Sequence, residues 1–212
     1  VACAPSIERS HEKIEEAINL LEGRFAHRPD IGSATLLRAK QARIERLLQN
    51  PREFRRAREE DALAVHRFAA ACLPLEAYPL HQYKILFRHF GSCSFVAERE
   101  GRIVAFEMGL PSDSHPGTYF LWQIGVGPDQ RGKGLAGELL AYVESEVRQM
   151  GYERIEVTVD PENSPSLGLF EKAGYNNISR REGEVVEFEG RLAVQDYYGP
   201  GRHFVLFEKS LS

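Results

Sequence analysis

Two glycines set one residue apart, between a strand-like run and a helix-like run, constrain this chain more than any other feature. Tyr119-Phe-Leu-Trp-Gln-Ile-Gly-Val126 reads as a buried strand, and Leu135 to about Met150 has the apolar spacing of an amphipathic helix. Between them lies Gln130-Arg131-Gly132-Lys133-Gly134-Leu135-Ala136. A helix that starts there leaves its first amide groups unpaired and carries partial positive charge at that end. Gly132 and Gly134 let the backbone come close to a ligand and take positive φ. Arg131 and Lys133 add charge. Such a turn suits a diphosphate.

Several diphosphate folds must be told apart. Gly132, Gly134 and Gly137 have the spacing G-x-G-x-x-G of dinucleotide-binding folds, but Pro128 to Arg131 separate them from the strand and more than a hundred residues precede them. A Walker loop is excluded, since no Gly-Lys-Ser or Gly-Lys-Thr is present here. The run Gln130 to Ala136 instead resembles Gln/Arg-x-x-Gly-x-Gly/Ala, the coenzyme A loop of the GNAT N-acetyltransferase superfamily. A second block agrees. Glu153-Arg-Ile-Glu-Val-Thr-Val159 reads as the next strand, and Asn163-Ser-Pro-Ser-Leu-Gly-Leu-Phe-Glu-Lys-Ala-Gly-Tyr175 is similar to that family's Asn-x-x-Ala-x-x-Leu-Tyr-x-Lys-x-Gly-Phe helix. The resemblance covers about Phe54 to Leu211. It implies a mixed α/β fold, in which a splayed mixed sheet is flanked by helices, with acetyl-CoA as co-substrate.

The whole chain sets wider bounds. Its 212 residues suffice for one large or two small domains, and a formal charge of -4 gives no reason to expect nucleic-acid binding. Cys3, Cys72 and Cys93 have no C-x-x-C spacing, which reads as reduced thiols in a cytoplasmic protein. No apolar run is long enough to span a bilayer, and Val1-Ala-Cys-Ala4 is not followed by the core of a secretion signal. The histidines are scattered without ligand spacing, so no metal is implied.

Residues 1–52 read as a helical hairpin, with Ile14, Ile18 and Leu21 on one helix face and Leu36, Leu37, Ile44, Leu47 and Leu48 on the second. So small a hairpin buries little core alone. It is expected to pack on the remaining domain, 53–212, or on a second subunit in a homodimer. That domain opens with a strand at Phe54–Arg58 and a helix from Ala62 to Leu73. A second helix from Leu80 to Phe90 follows, then a hairpin of strands Ser92–Glu98 and Arg102–Leu110. Gly125, inside the central strand, reads as a bulge or a close backbone approach. Asn177–Glu189 and Arg202–Lys209 read as a long final pair of strands, with Asp196-Tyr-Tyr-Gly-Pro-Gly201 between them.

The resemblance also assigns chemistry. It places coenzyme A against Ile124, Gly125 and Val126, the loop Gln130 to Ala136, Asn163 and Phe170. It places the acceptor under the first two helices, making Glu76, Tyr78, His81 and Tyr83 candidate contacts, with Trp122 and Gln123 facing it from the central strand. The pattern departs from the family at two points. No carboxylate stands on the central strand, and Phe170 replaces the tyrosine that usually serves as acid. Glu107, on the preceding strand, is the candidate base. Tyr197 or Tyr198 is the candidate acid, and relatives that acetylate protein N-termini have a similar tyrosine pair.

Blocks such as Phe120-Leu-Trp-Gln-Ile124 and Glu156-Val-Thr-Val-Asp-Pro-Glu-Asn163 further resemble the ectoine-pathway diaminobutyrate acetyltransferases, which implies a small amino or diamino acid as acceptor. The alternatives are a protein N-terminus as acceptor, a coenzyme A-binding sensor without turnover, and a dinucleotide-dependent oxidoreductase.

Overall fold

The structure is a computed structural model that describes residues 53–211 and the single helical position Arg38. The expected N-terminal hairpin lies outside the described residues, as does Cys3. In chain order the elements are β1 (Glu53–Arg56), α1 (Ala62–Ala70), α2 (Leu80–Phe90), β2 (Ser94–Arg99), β3 (Arg102–Pro111), β4 (Thr118–Val126) and α3 (Leu135–Gln149). There follow β5 (Arg154–Val159), α4 (Ser164–Lys172), β6 (Asn176–Asn177), α5 (Ser179–Glu182), β7 (Val185–Phe188), β8 (Arg191–Val194) and β9 (Val205–Ser210).

Seven strands form one sheet in the order β1-β2-β3-β4-β5-β9-β6. Every described pairing in it is antiparallel except β4 with β5. Each face of the sheet has its own apolar core. On one face Phe95, Ala105, Tyr119, Leu121 and Ile155 meet Leu139, Leu140, Val143 and Val147 of α3 and Leu167 and Phe170 of α4. On the other face Val96, Phe106 and Met108 meet Val65 and Ala69 of α1 and Tyr83, Leu86 and Phe87 of α2. The sequence shows the reason: α3 repeats apolar side chains at helical spacing, and β3 alternates between the two faces from Ala105 onward, after a register shift that puts Val104 and Ala105 in the same core.

Two features of β4 matter, the first the expected splay and the second a correction. The parallel pairing of β4 and β5 runs only from Thr118↔Arg154 to Leu121↔Val157, while β4 continues to Val126. The two strands therefore part after Leu121. The bulge on β4 lies at Trp122, not at Gly125, because Met108 faces Gln123 while Gly109 faces Leu121. Gly125 answers a different demand. A Cβ there would lie 2.8 Å from the Phe106 ring and 2.9 Å from Leu75 Cδ2, so side chains fill the place of its missing one.

The C-terminal segment also corrects the sequence expectation of a long strand pair. Asn177–Glu189 is broken. The Asn177 side-chain oxygen accepts from the Ser179 amide at 2.9 Å, which starts the short helix α5. β7 and β8 then form a separate two-stranded sheet, turning through Glu189 (φ 47) and Gly190 (φ 79). The strand β9 pairs instead with β5 and β6.

Candidate active site

The parting of β4 from β5 leaves main-chain groups exposed along one strand edge. Gly127 N–H donates to Val104 O on β3 at 3.1 Å, so by alternation Val126 and Ile124 direct their N–H and C=O away from β3, into the gap. Beyond the strand, a one-turn 3₁₀ helix at Pro128–Gln130 leads to the glycine loop. Gly132 has φ 70 and Gly134 has φ 81, a region that side chains with a Cβ avoid. Gly134 is the residue before α3, and no side chain caps that helix end. Its first amides are therefore turned to the same space as the open strand edge.

That space is a cavity of about 920 Å³. Ile124, Gly125, Val126, Gln130, Arg131, Gly132, Gly134, Leu135 and Ala136 all line it, so nearly the whole predicted cofactor set converges there. Asn163 lines it too, and caps α4 by accepting from Ser166 N–H at 3.2 Å. Lys133 is not in the wall; its ammonium turns back to the Asp129 carbonyl at 2.5 Å. Phe170 is not in the wall either. It is fully buried against Tyr175 and Phe207, while its neighbour Leu169 faces the cavity. Cys72, Pro74 and Leu75 close the side nearest α1, and sequence reasoning missed them because nothing local connects that loop to β4.

The bulge sets the acceptor side. Because Trp122 is the extra residue, it and Gln123 both point to the α1–α2 face instead of alternating. There Trp122 Nε1 donates to the Tyr78 hydroxyl at 3.1 Å, and Tyr78 donates to Glu76 Oε2 at 3.4 Å. The Trp122 and Tyr78 rings lie 5.3 Å apart. Gln123 Nε2 donates to the Glu76 carbonyl at 2.7 Å, and Tyr83 donates to Gln123 Oε1 at 3.3 Å. The four candidates Glu76, Tyr78, Trp122 and Gln123 thus form one connected group. Tyr83 is buried behind it as a support, and His81 is exposed on α2.

The tyrosine pair stands on the same sheet face further along. Thr158 alternates with the core residues Val157 and Val159, so it faces away from α3, and the Tyr198 hydroxyl lies 3.1 Å from its Oγ1. Tyr197 packs edge-on to Tyr198 with ring centroids 4.7 Å apart, and burial pushes its phenol up. Glu156, on that face of β5 and near enough to Tyr197 to raise its pKa further, also went unnoticed in the sequence.

Glu107 is placed elsewhere. It projects to the α3 face beside Ala105, is wholly buried, and does not line the cavity. The Tyr119 hydroxyl lies 2.8 Å from its Oε1 and 2.7 Å from the Cys93 carbonyl. Burial pushes the carboxyl well above its ordinary value, although the Tyr119 hydrogen bond pulls the other way. An enclosed carboxyl on the α3 side of the sheet, outside the cavity wall, does not face an amine under α1 and α2, which removes the geometric basis for a direct base.

Among the described residues, no cluster of three or more His, Cys, Asp or Glu side chains could hold a metal, and no helix is long and apolar enough to cross a membrane.

A splayed β4–β5 pair, an uncapped helix after a two-glycine turn and a shared cavity define the fold class of acyl-CoA-dependent transferases. The profile of the acetyltransferase (GNAT) family matches residues 52–175, and the chain belongs to that family. It is 33% identical over 124 residues to an L-2,4-diaminobutyric acid acetyltransferase from Halomonas elongata, covering 58% of this chain and 65% of the relative. A protein of the same name from Vibrio cholerae is 30% identical over 153 residues, covering 70% of this chain and 88% of the relative. The match thus spans less than two thirds of the Halomonas protein and most of the Vibrio one. Among solved structures, a diaminobutyrate acetyltransferase from Paenibacillus lautus in complex with L-2,4-diaminobutyric acid and coenzyme A has the same fold. Its TM-score is 0.59 at 24% identity, covering 75% of this chain and 94% of that one.

Proposed function

We propose that this protein transfers the acetyl group of acetyl-CoA to a primary amine of a small diamino acid. The observation that carries the proposal is the convergence of an open β4 edge and uncapped α3 amides on one cavity. Those groups fit a diphosphate joined to an extended amide chain, because the Ile124 main chain, the Val126 N–H and the first α3 amides supply hydrogen bonds beyond the β4–β5 pairing. The names of the relatives support the acceptor class.

The residues suggest a division of labour. Glu76 supplies a carboxylate, and the Trp122 and Tyr78 rings supply aromatic faces; together these suit an ammonium group. The reacting ammonium gives one proton to solvent, and the neutral amine attacks the thioester carbon. A main-chain N–H of Ile124 or Val126 then stabilises the oxyanion. Collapse breaks the C–S bond; the departing thiolate takes a proton from Tyr198, whose hydroxyl is already held by Thr158, and the acylated nitrogen gives up its second proton to solvent, from which Tyr198 is reprotonated. Glu107 has no part in this sequence. The free buried thiols Cys72 and Cys93 fit a reducing compartment, which supports a cytoplasmic location.

The test is turnover of the full chain with acetyl-CoA against L-2,4-diaminobutyrate, other diamines and peptide N-termini, followed by thiol release and product mass. Acetylation of the diamino acid at the highest kcat/KM is the expected result. Activity confined to peptides would move the acceptor to protein N-termini, and failure of every amine to release thiol would leave a coenzyme A-binding sensor.

A further inference from the structure

The loop from Ala71 to Pro79, between α1 and α2, carries Glu76 and Tyr78. It is held to the end of β4 at several points. Gln123 grips the Glu76 carbonyl at 2.7 Å, the Leu75 side chain covers Gly125, and Cys72 Sγ lies 3.7 Å from the Val126 carbonyl. The remaining tie comes from the glycine turn itself. Arg131 Nη2 donates to the Leu73 carbonyl at 2.9 Å, and its Nε donates to the Val126 carbonyl at 3.3 Å. The cation expected to face the diphosphate thus spends its fork on two main-chain oxygens, one on β4 and one on the acceptor loop. The Leu73 side chain is 75% exposed, so burial does not fix the loop at that point.

We infer that Arg131 is a positioning residue that transmits occupancy of the coenzyme A site to the acceptor loop, through its tie to the Leu73 carbonyl. The inference rests on the functional reading above. A diphosphate on the amides of 132–136 fixes the backbone that bears Arg131. The guanidinium then holds Leu73, and with it the segment that presents Glu76 and Tyr78. With coenzyme A in place an acceptor meets a loop already ordered, and by reciprocity the two sites are coupled. A planar guanidinium can bridge two carbonyls at fixed geometry, whereas a lysine ammonium keeps the charge but not the fork.

The experiment compares the full chain with Arg131→Lys and Arg131→Ala. Coenzyme A binding is measured by calorimetry, without any acceptor. Amide hydrogen exchange of residues 71–79 is followed with and without coenzyme A. KM for L-2,4-diaminobutyrate is measured at saturating acetyl-CoA. In the unaltered chain, coenzyme A should slow exchange over 71–79. In Arg131→Lys that protection should be lost and the diamine KM should rise about tenfold, roughly 1.4 kcal/mol, while the coenzyme A Kd shifts by no more than about threefold. Arg131→Ala should match it for exchange and KM.

Retained protection in Arg131→Lys overturns the inference, as does a variant whose only change is weaker coenzyme A binding. The exchange measurement needs no acceptor, so a wrong acceptor class leaves it decisive. Absence of coenzyme A binding in the unaltered chain would overturn the functional reading itself, and the coupling with it.

Discussion

Glu107→Gln should stabilise the protein near neutral pH and remove part of its pH dependence. The Tyr119 hydroxyl has one hydrogen but stands within bonding distance of two acceptors, the Cys93 carbonyl and Glu107. If Tyr119 donates to Cys93, Glu107 must keep its own proton and donate to Tyr119. Burial pushes its carboxyl well above the ordinary value of 4.5, in agreement with that count. The unfolded chain releases the same proton near the ordinary value. Above it the native state holds one proton more than the unfolded state, so stability falls as pH rises, by about 1.4 kcal/mol per pH unit. The loss continues until the native carboxyl itself titrates; below the ordinary value the effect is absent. Glutamine is nearly the same size, keeps a donor toward Tyr119 and carries no such proton. As pH rises above the ordinary carboxyl value, the stability difference should therefore move steadily in favour of the variant. Urea unfolding of both proteins at several pH values reads this directly. Parallel stability curves would refute the proton assignment. Turnover adds a second check: a direct base would cost about a hundredfold or more on this change, whereas the buried-acid account expects activity to persist.

Other substitutions test the cavity and its surroundings. Gly134→Val places a branched side chain at φ 81 over the first amides of α3, so the coenzyme A Kd should rise at least about tenfold; calorimetry that finds no change would remove the diphosphate from this turn. Tyr198→Phe should lower kcat by about ten- to a hundredfold with little change in either KM, and unaltered steady-state kinetics would end its assignment as the acid. Gly109→Ala should destabilise the fold by about 3 kcal/mol, since its Cβ would fall 2.1 Å from the Tyr119 ring and push it from Glu107. A melting temperature equal to that of the unaltered chain would contradict that packing.

The sequence disclosed whatever depends on neighbours within a turn or a strand. Leu135 to Gln149 was legible as a helix because its apolar side chains repeat locally, and Gly132 and Gly134 were legible as a ligand turn because positive φ is a property of single residues. What it did not disclose depends on counting across strands. The bulge opposite Met108 and Gly109 adds one residue to β4, and every assignment of side beyond it changes with that one. Trp122 and Gln123 share a face only for this reason. Glu107 looked well placed along the chain, yet strand parity turns it toward α3. The break after Asn177 rests on one side-chain oxygen taking the Ser179 amide, a local alternative to the ladder that alternation of apolar residues does not reveal. Arg131 is the sharper case. Its charge beside two glycines suggested contact with a phosphate, but the Leu73 carbonyl, 58 residues away in sequence, lies within reach of its guanidinium. A residue type and a motif position can therefore locate a ligand site while leaving open which of its side chains touch the ligand and which hold the wall in place.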